Sequence, residues 1–524
     1  MSLYLNKKND LFIKKLKSKI SIDKSMLIEK TNEVFGSDDS FMCVTRPRRF
    51  GKTMALSMLN AYYSKGCDSK ELFNDLKISK DKSYLEHLNK HNVIWIDMSS
   101  VYTSIKDKNE FFNELETNLL EDFKEAFPNV LTKNDNIISK AIIRLNSKLN
   151  ERFIFLIDEW DVIYREQENN RKLCDDYTEF LRNLFKSSDV SSCIDLVYMT
   201  GILPIRRYST QSTLNMFKEY NMINSGNLNT YFGFTEDEVK DLCVKYSRDY
   251  NEIKQWYNGY SLKGTAIYNP KSVVEAVETG EFEDYWVKTS AIEAVTDYMN
   301  YDQGVLKDTI TNMLSGNKVK VNVKDFENDL TKVNSKDAAL TVLIHLGYLA
   351  YDEDEKECYI PNYEIRQEFE QGLRNLKWTE IYNPISNSEK LYNETIKGNI
   401  DFINQTLDYN HKELAGPFNK NKEDILGIIV QISYYYCKRY YNVKKEDTST
   451  KGRADITFTP YDNEHKPMIV ELKVNSTPSD AIKQIIEKEY FNCLGNYHGD
   501  VILLGISYND KTLKHESKIE IIKR

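Results

Sequence analysis

The sequence predicts an α/β protein in three parts: a parallel sheet covered by helices on both faces, a mainly helical middle region, and a smaller α/β unit at the C-terminal end. Four short apolar segments in the first 200 residues alternate with stretches of helical periodicity, as the buried strands of a parallel sheet do. From about residue 235 the pattern becomes helical with short connections. Strand-like apolar segments return after residue 450.

The N-terminal strands are predicted at residues 40–45, 93–98, 152–157 and 194–200, and a helix is predicted from Lys52 to about Tyr63. Apolar residues occupy both faces of these strands, so helices must cover the sheet on both sides. The first part of the chain is therefore expected to form one doubly covered α/β domain.

The rest of the chain divides into a middle region and a C-terminal unit. Residues 235–238 have the pattern of a capping box that begins a helix, and residues 347–361 are expected to form a winged-helix-like hairpin. In the C-terminal unit, strands are predicted at 454–459, 468–474 and 500–507, and helices at 423–440 and 479–490. We expect four segments: an N-terminal domain at 1–234, a helical lid at 235–375, a helical connector at 376–415 and a C-terminal α/β domain at 416–524.

The composition excludes several classes of protein. The chain has 524 residues, 41% of them hydrophobic, so it is not disordered. No run reaches 18 apolar residues, so no transmembrane helix is predicted. The eight scattered cysteines include no CxxC pair, which predicts a reduced, cytoplasmic protein without a zinc site or disulfide framework. A net charge of −9 argues against a non-specific nucleic-acid coat protein but allows a local basic groove.

Residues 46–53, Arg-Pro-Arg-Arg-Phe-Gly-Lys-Thr, lie between a predicted strand and a predicted helix. A phosphate-binding loop needs backbone N–H groups at a helix N-terminus, a Lys for the terminal phosphates and a Ser or Thr hydroxyl for Mg²⁺. The second half of GxxxxGK[ST] is present, whereas an arginine stands at the first glycine position, and GKT alone is common by chance. The predicted nucleotide-binding residues of this loop are Arg46, Pro47, Arg48, Arg49, Phe50, Gly51, Lys52 and Thr53, and Arg206 is a further candidate phosphate contact.

A second motif, residues 153–161, is an apolar strand that ends in carboxylates, the Walker B arrangement. Asp158 is predicted to hold Mg²⁺ together with Thr53, and Glu159 is predicted to polarise the attacking water. Thr200 ends the next strand and is predicted to sense the terminal phosphate, with a capping role as the alternative. A solvated acidic strand end is the alternative for the motif as a whole. The two motifs together predict a P-loop NTPase core that binds ATP and Mg²⁺.

A third set of polar residues lies on the C-terminal strands. Glu471 and Lys473 are two residues apart and therefore share one face of a strand, and Asp455 on the adjacent strand can meet Glu471. Two carboxylates and the Leu472 carbonyl suit Mg²⁺, and a lysine beside the metal can orient or deprotonate a water for attack on phosphorus. This set predicts metal-dependent phosphodiester cleavage, with a surface salt bridge on an edge strand as the alternative.

Three neighbouring features could complete this site. Glu423, on the preceding helix, could be a further metal ligand, and Gln484, on the following helix, could support the metal or the DNA. The basic, tyrosine-rich run at 437–445 would suit a nucleic-acid backbone, although a solvated face explains it equally well. Each is also compatible with an ordinary structural role.

The chain resembles, over nearly its whole length, an AAA-ATPase-like domain followed by a PD-(D/E)XK nuclease domain. RPRRFGKT is specific to this family, so Arg46 in place of glycine belongs to its pattern, and only Trp160 departs, standing where Tyr is usual. The other matching motifs lie at 22–25, 157–161, 256–260, 268–270, 285–290, 347–349, 360–362, 452–455 and 470–473.

The resemblance implies ATP binding with hydrolysis, and a C-terminal fold like that of restriction endonucleases. It carries Lys52, Thr53, Asp158 and Glu159 to the ATP site. It carries Asp455, Glu471 and Lys473 to the nuclease site, and Glu423 less securely. Defence against mobile DNA, or carriage by it, is the role suggested for the family.

Three hypotheses about function follow, the third being an ATPase that acts on protein substrates with the C-terminal unit as an adaptor. In the first, ATP binding regulates a Mg²⁺-dependent nuclease that acts on DNA in preference to RNA, and the chain can form homo-oligomers. In the second, the chain is a nucleotide-dependent switch or scaffold, and its nuclease-like domain binds nucleic acid or a partner without cleaving. No membrane partner is expected.

Overall fold

The computed structural model describes residues 2–132, 135–166, 170–205, 214–286, 296, 298–299, 305–326, 333–414, 422–449 and 451–524. The chain forms two compact units, one from Met1–Ser290 with Lys320–Pro361 and one from Ala291–Val319 with Asn362–Arg524. The predicted division into four segments stays a prediction. Among the described helices, none is both long and apolar enough to cross a membrane.

The first unit is built on a parallel sheet, as the sequence predicts. Its strands are β1 (Phe41–Thr45), β2 (Asn92–Asp97), β3 (Phe153–Asp158), β4 (Ile194–Gly201) and β5 (Lys218–Tyr220), in the order β2-β3-β4-β1-β5. All four neighbouring pairs are parallel. The short edge strand β5 was not predicted.

Alternate residues of each strand enter cores on opposite faces of this sheet. On β3, Phe153, Phe155 and Ile157 pack into one core, while Ile154 and Leu156 pack into the other. The helix Lys52–Tyr63 covers the second face, and the helices Phe111–Ala126, Ile138–Leu149 and Arg171–Phe185 cover the first. This two-sided burial explains why the strands read as continuous apolar runs.

Shorter helices complete the sheet domain. They are Asp10–Leu16, Leu27–Glu33, Lys70–Phe73, Tyr84–His87, Met98–Ser104, Val162–Glu166 and Ser188–Ser191, with 3₁₀ turns at Lys77–Lys80 and Lys108–Glu110.

The rest of the first unit is mainly helical, as predicted, with the helices Glu236–Tyr246, Tyr250–Tyr257, Pro270–Thr279 and Lys336–Leu346. The predicted capping box is present between Thr235 and Glu238. A small antiparallel sheet was missed; it consists of β6 (Phe234–Thr235), β7 (Tyr260–Leu262) and β8 (Thr265–Tyr268). The short strand β9 (Val319–Lys320) precedes an antiparallel hairpin of β10 (Ala350–Asp352) and β11 (Glu357–Tyr359), which lies where the winged-helix-like hairpin was expected.

The second unit contains a five-stranded sheet in sequential order, β12 (Tyr441–Ser449), β13 (Gly452–Pro460), β14 (Met468–Val474), β15 (Asp500–Asn509) and β16 (Lys514–Lys523). Only the β14–β15 pair is parallel, so this is a mixed sheet. The helix Pro478–Glu487 makes the crossover between the two parallel strands, as right-handed βαβ units do. The sequence predicted the three central strands and neither edge strand.

The helices of the second unit are Val305–Leu314, Tyr363–Asn375, Thr379–Ser386, Ser388–Ile396, Ile400–Leu414, Lys422–Ser433 and Pro478–Glu487, with 3₁₀ turns at Tyr435–Arg439 and Tyr490–Leu494. The helices Ser388–Ile396, Ile400–Leu414 and Lys422–Ser433 pack into a core on one face of the sheet, and Pro478–Glu487 packs into a core on the other. The helix predicted to run to residue 440 ends at Ser433, and a 3₁₀ turn continues the chain.

Candidate nucleotide and nuclease sites

The predicted phosphate loop connects β1 to the helix Lys52–Tyr63. Its backbone turns at two residues with positive φ, Arg49 at 67° and Gly51 at 89°. No atom lies within 4 Å of the position that a Cβ on Gly51 would take. The glycine is therefore favoured by the positive φ of the backbone and not by a lack of space. Arg48, Gly51 and Thr53 are exposed, so a polyphosphate could reach the helix N-terminus.

Lys52 lies inside this loop. Its buried Nζ donates to the carbonyls of Arg46 at 3.1 Å and Pro47 at 3.0 Å. Burial lowers the pKa of Lys52, while the nearby Glu159 and Asp158 act in the opposite direction. The ammonium group is therefore held between the loop backbone and the Walker B carboxylates, where a bound phosphate would replace the two carbonyls.

The Arg46 side chain lies in the interior behind the loop. Its side chain is fully buried and donates to the carbonyls of Thr45 at 2.8 Å and Tyr220 at 2.9 Å. Its backbone N–H donates to Gly201. Burial lowers the pKa of Arg46 to about 10. The guanidinium group therefore braces β1 against the end of β5, and the Arg46 side chain faces the interior. Pro47 and Phe50 are buried as well, and nucleotide contacts by these three residues stay predictions.

Residues from the middle of the chain support the loop from behind. The indole N–H of Trp286 donates to the carbonyl of Arg48 at 3.0 Å, and the Phe50 ring packs edge-on against Tyr260 at 5.5 Å. The Tyr260 hydroxyl donates to the carbonyl of Gly347 at 2.5 Å. A Cβ on Gly347 would lie 2.7 Å from Pro47. Three of the motifs that carried the resemblance therefore meet at the phosphate loop.

The Walker B residues lie at the carboxyl end of β3, beside the loop. Asp158 is buried, and Thr53 lies close enough to lower its pKa, against the larger effect of burial. Burial raises the pKa of Asp158 to about 6, and the Thr200 hydroxyl lies 3.5 Å from its Oδ1. Thr53, Asp158 and Thr200 thus lie together, and the hydroxyl of Thr53 and the carboxylate of Asp158 are oxygen donors that fit Mg²⁺.

Arg165 was not among the predicted site residues, yet it lies at this site. Its Nη2 lies 2.5 Å from Oε2 of Glu159, and its Nε lies 3.1 Å from Asp161. Arg165 follows the motif by four residues, which is the helical spacing that joins it to Asp161. That spacing is the sequence signal from which a role for Arg165 could have been predicted. Arg206 lies outside the described residues.

A cavity of about 470 Å³ opens beside the phosphate loop, a size in the range of about 300–1,000 Å³ that is common for small-molecule sites. Gly51 is among its lining residues, and the apolar ones are Phe12, Leu16, Ile20, Ile22, Phe50, Met54, Ala55, Met58, Leu76, Tyr231, Phe234, Pro270 and Val274. Asp23 and Lys24 are held by protein groups, since the Asp23 carboxylate accepts from two backbone N–H groups and Lys24 pairs with Glu238 at 2.7 Å. The cavity therefore presents mainly apolar surface to a nucleoside.

The second site lies on the mixed sheet, where β13 and β14 separate. Ile456 is paired with Val470 in antiparallel register, so Asp455 faces Glu471 at the next position. Asp455 accepts a hydrogen bond from the backbone N–H of Leu472 at 2.7 Å. The carboxylates and lysine that the sequence predicted are therefore assembled, and they line a cleft of about 250 Å³.

Glu471 is buried and carries the strongest electrostatic perturbation at this site. Burial, followed by the charge of Asp455, raises the pKa of Glu471 to about 7, and burial also raises the pKa of Asp455. Oε2 of Glu471 is buried with no hydrogen-bond partner. Two adjacent carboxylates with one unsatisfied oxygen are the environment that a divalent cation stabilises.

Gln484 connects the acid and the base of this site. Lys473 Nζ donates to Glu471 Oε1 at 3.0 Å and to Gln484 Oε1 at 2.7 Å. The Gln484 amide nitrogen donates to Glu471 and, at 3.0 Å, to the Tyr490 hydroxyl. Reversing the amide would place its NH₂ against the ammonium group and its oxygen against the carboxylate, so this arrangement fixes its orientation.

Glu423 reaches the cleft as an exposed side chain. Among the described residues, no group of three or more His, Cys, Asp or Glu side chains is arranged to hold a metal. The donor set that fits Mg²⁺ is therefore the two carboxylates and the Leu472 carbonyl, and a direct role for Glu423 stays a prediction.

The basic run at 437–445 does not form one surface. The Lys438 side chain is buried, and its Nζ donates to the carbonyl of Leu314 at 2.6 Å. Lys444 and Lys445 are exposed, with Asp447 and Asp424 each 3.9 Å away. A nucleic-acid surface at this position would use the two exposed lysines and exclude Lys438.

Comparisons with known proteins match two parts of the chain to families. A predicted AAA-ATPase family matches residues 14–210, and the PD-(D/E)XK nuclease superfamily matches residues 427–518. The phosphate loop and the Walker B residues fall inside the first range, and Asp455, Glu471 and Lys473 fall inside the second, whereas Glu423 lies outside it.

The chain is also similar to an individual protein and to a solved structure. A protein of Azotobacter chroococcum mcd 1, described as "Uncharacterized protein in vnfD 5'region", is 21% identical over 498 residues, covering 89% of each chain. The crystal structure of Cdc6p from Pyrobaculum aerophilum covers 70% of this chain and 98% of its own, at 10% identity and a TM-score of 0.26. That score is too low to support a conclusion.

Proposed function

We propose, from the premise that this chain combines an AAA-ATPase-like domain with a PD-(D/E)XK nuclease superfamily domain, that it is an ATP-regulated, Mg²⁺-dependent nuclease acting on DNA in preference to RNA. Defence against mobile DNA, or carriage by it, is the biological setting that the family suggests. The observation that carries the proposal is the intact set of Asp455, Glu471 and Lys473 around a cleft, with one buried oxygen of Glu471 left unsatisfied. Binding of nucleic acid alone does not require that set.

At the nucleotide site, the loop backbone and Lys52 bind the phosphates, and the apolar cavity takes the nucleoside. Thr53 and Asp158 would hold Mg²⁺, which when bound neutralises phosphate charge. Glu159 orients the attacking water at the end of β3. A bound phosphate would replace the hydrogen bonds that Lys52 makes to the loop carbonyls. The resulting change in the loop would then reach Trp286, which contacts the loop.

At the nuclease site, Asp455, Glu471 and the Leu472 carbonyl would hold a divalent cation, which when bound acts as a Lewis acid towards the phosphodiester. Lys473 lies within hydrogen-bond distance of Glu471 and can accept or direct the proton of a water molecule. Gln484 keeps the lysine and the carboxylate in place. The products expected from this arrangement are a phosphate-terminated and a hydroxyl-terminated strand.

The test uses the purified full chain with plasmid, single-stranded DNA and RNA, with and without ATP and Mg²⁺. We expect Lys473→Ala to abolish cleavage while ATP hydrolysis persists, and Lys52→Ala to weaken nucleotide binding. Lys483→Ala, an exposed lysine on the neighbouring helix, is the matched control and should cleave normally. Unchanged cleavage by Lys473→Ala would exclude the nuclease assignment. No cleavage of any substrate, together with ATP-dependent oligomerisation, would favour a switch or scaffold.

A further inference from the structure

A chain of three charged side chains runs behind the Walker B strand. Glu159 Oε2 lies 2.5 Å from Arg165 Nη2, and Arg165 Nε lies 3.1 Å from Asp161 Oδ2. Asp161 is fully buried, and the same oxygen accepts from the backbone N–H groups of Ile202 at 3.1 Å and Leu203 at 2.8 Å. The Arg165 side chain is only 12% exposed, so solvent screens these pairs weakly.

Each of these charged groups is held in place by the one before it, starting from the backbone after β4. The backbone after β4 fixes Asp161, Asp161 orients the guanidinium of Arg165, and Arg165 binds one oxygen of Glu159. Glu159 itself has a positive φ of 50° at the end of β3, a conformation that a non-glycine residue keeps only where its surroundings hold it. Glu159 lies close enough to Lys52 for its charge to raise the pKa of that lysine.

The contact between Arg165 and Glu159 has the geometry that a general base requires. A base is effective when a third group holds it in one orientation, as a carboxylate orients histidine in hydrolases. An arginine that binds one carboxylate oxygen through a rigid planar group restricts both rotation and tilt. The other oxygen remains available to a water molecule.

We propose that Arg165 is a positioning residue for ATP hydrolysis, which holds Glu159 in its water-orienting geometry and is itself fixed through Asp161 by the backbone of residues 202–203. The inference rests on the proposed ATPase function. It assigns to Arg165 a role in the chemical step and none in nucleotide affinity. It also makes the segment after Thr200 part of the catalytic support.

The test compares steady-state ATP hydrolysis, ATP affinity and melting temperature in the full chain. Because a general base contributes about 10²–10⁴-fold, we expect Arg165→Ala to lower kcat by roughly 10- to 100-fold with KM and ATP affinity little changed. Arg165→Lys keeps the charge and should recover part of the loss; it also serves if the alanine variant does not fold. In a Glu159→Gln background, Arg165→Ala should cost almost nothing more, since the two residues act as one unit.

Arg152→Ala is the matched control, because Arg152 forms a comparable 2.5 Å pair with Asp195 at the opposite end of the same strands. It should lower the melting temperature and leave kcat unchanged. Wild-type kcat in Arg165→Ala, a loss confined to ATP affinity, or an equal further loss in the Glu159→Gln background would each overturn the inference while leaving the ATPase function intact. Absence of hydrolysis by the wild-type protein would overturn both.

Discussion

Replacing Arg46 separates a structural role in the phosphate loop from a nucleotide-binding role. The substitution Arg46→Met keeps most of the volume and the apolar stem of the side chain and removes the guanidinium group. In the wild-type protein that group donates to the carbonyls of Thr45 and Tyr220 at 2.8 and 2.9 Å and, more weakly, to Leu228 at 3.4 Å. The variant leaves these acceptors without their donor inside the protein.

The expected loss of stability follows from these contacts. Two unsatisfied buried acceptors cost about 1–3 kcal/mol each, or roughly 2–6 kcal/mol together. Removing a buried cation returns part of this, because burying a charge is itself unfavourable. We therefore expect the free energy of unfolding to fall by about 2–3 kcal/mol, the lower part of that range.

Urea denaturation of the full chain measures this loss as a lower midpoint at an unchanged slope. Calorimetric titration at a temperature where both proteins are folded should show an ATP affinity within about threefold of that of the wild type. On this scale a tenfold loss of affinity corresponds to about 1.4 kcal/mol. Arg48→Met, an exposed arginine on the same loop, is the matched control and should retain full stability. Full stability of Arg46→Met combined with a tenfold loss of ATP affinity would refute the structural role and return Arg46 to the nucleotide site.

Three further predictions follow from the two sites and their surroundings. Gln484→Leu should lower nuclease turnover by about 10- to 100-fold, because hydrogen bonds to charged groups contribute about 1.5–3 kcal/mol; plasmid cleavage measures it, and normal cleavage would show that the amide is dispensable. Gly347→Ala should weaken both stability and ATP binding, since its Cβ would lie 2.7 Å from Pro47, whereas Gly398→Ala, with positive φ and nothing within 4 Å, should affect stability alone. His411 Nδ1 lies 3.0 Å from His515 Nε2, and burial lowers the pKa of His411 from 6.5 to about 4 and also lowers that of His515. Because the unfolded chain binds these protons more readily, the stabilisation is complete above pH 6.5 and is lost as pH falls towards 4, so denaturation at several pH values should show a smaller acid loss in His411→Gln.

The sequence predicted the central strands and the residues at their ends well, because both signals are local. The apolar runs of β1 to β4 have the two-sided burial that a parallel sheet requires, and the polar residues after them meet at one sheet edge. The edge strands β12 and β16 were missed for the corresponding reason: they are rich in charged residues and bury little apolar surface. Their partners, and not their composition, hold them in the sheet.

The predicted site residues also divide into those that local sequence patterns identify and those that depend on packing. Asp455, Glu471 and Lys473 could be grouped from strand periodicity, because side chains two residues apart share a face. Gln484 could be named only as a candidate and Tyr490 was not named, since the positions of a helix and a turn depend on how the crossover packs. Lys438 looked like part of a basic surface, but the 3₁₀ turn points it inward to Leu314.

Two sets of polar residues can be recognised from the amino-acid order alone: a glycine–lysine–threonine loop beside a strand ending in Asp158 and Glu159, and a carboxylate–lysine set on a second sheet. Covalent order and short-range periodicity are enough for that. The folded chain was needed to show that Arg46 faces the interior, that Trp286 supports the loop and that Arg165 contacts Glu159. These depend on contacts between residues far apart in the chain or on which way one side chain points, and burial and hydrogen bonding settle such choices only once the whole unit has folded.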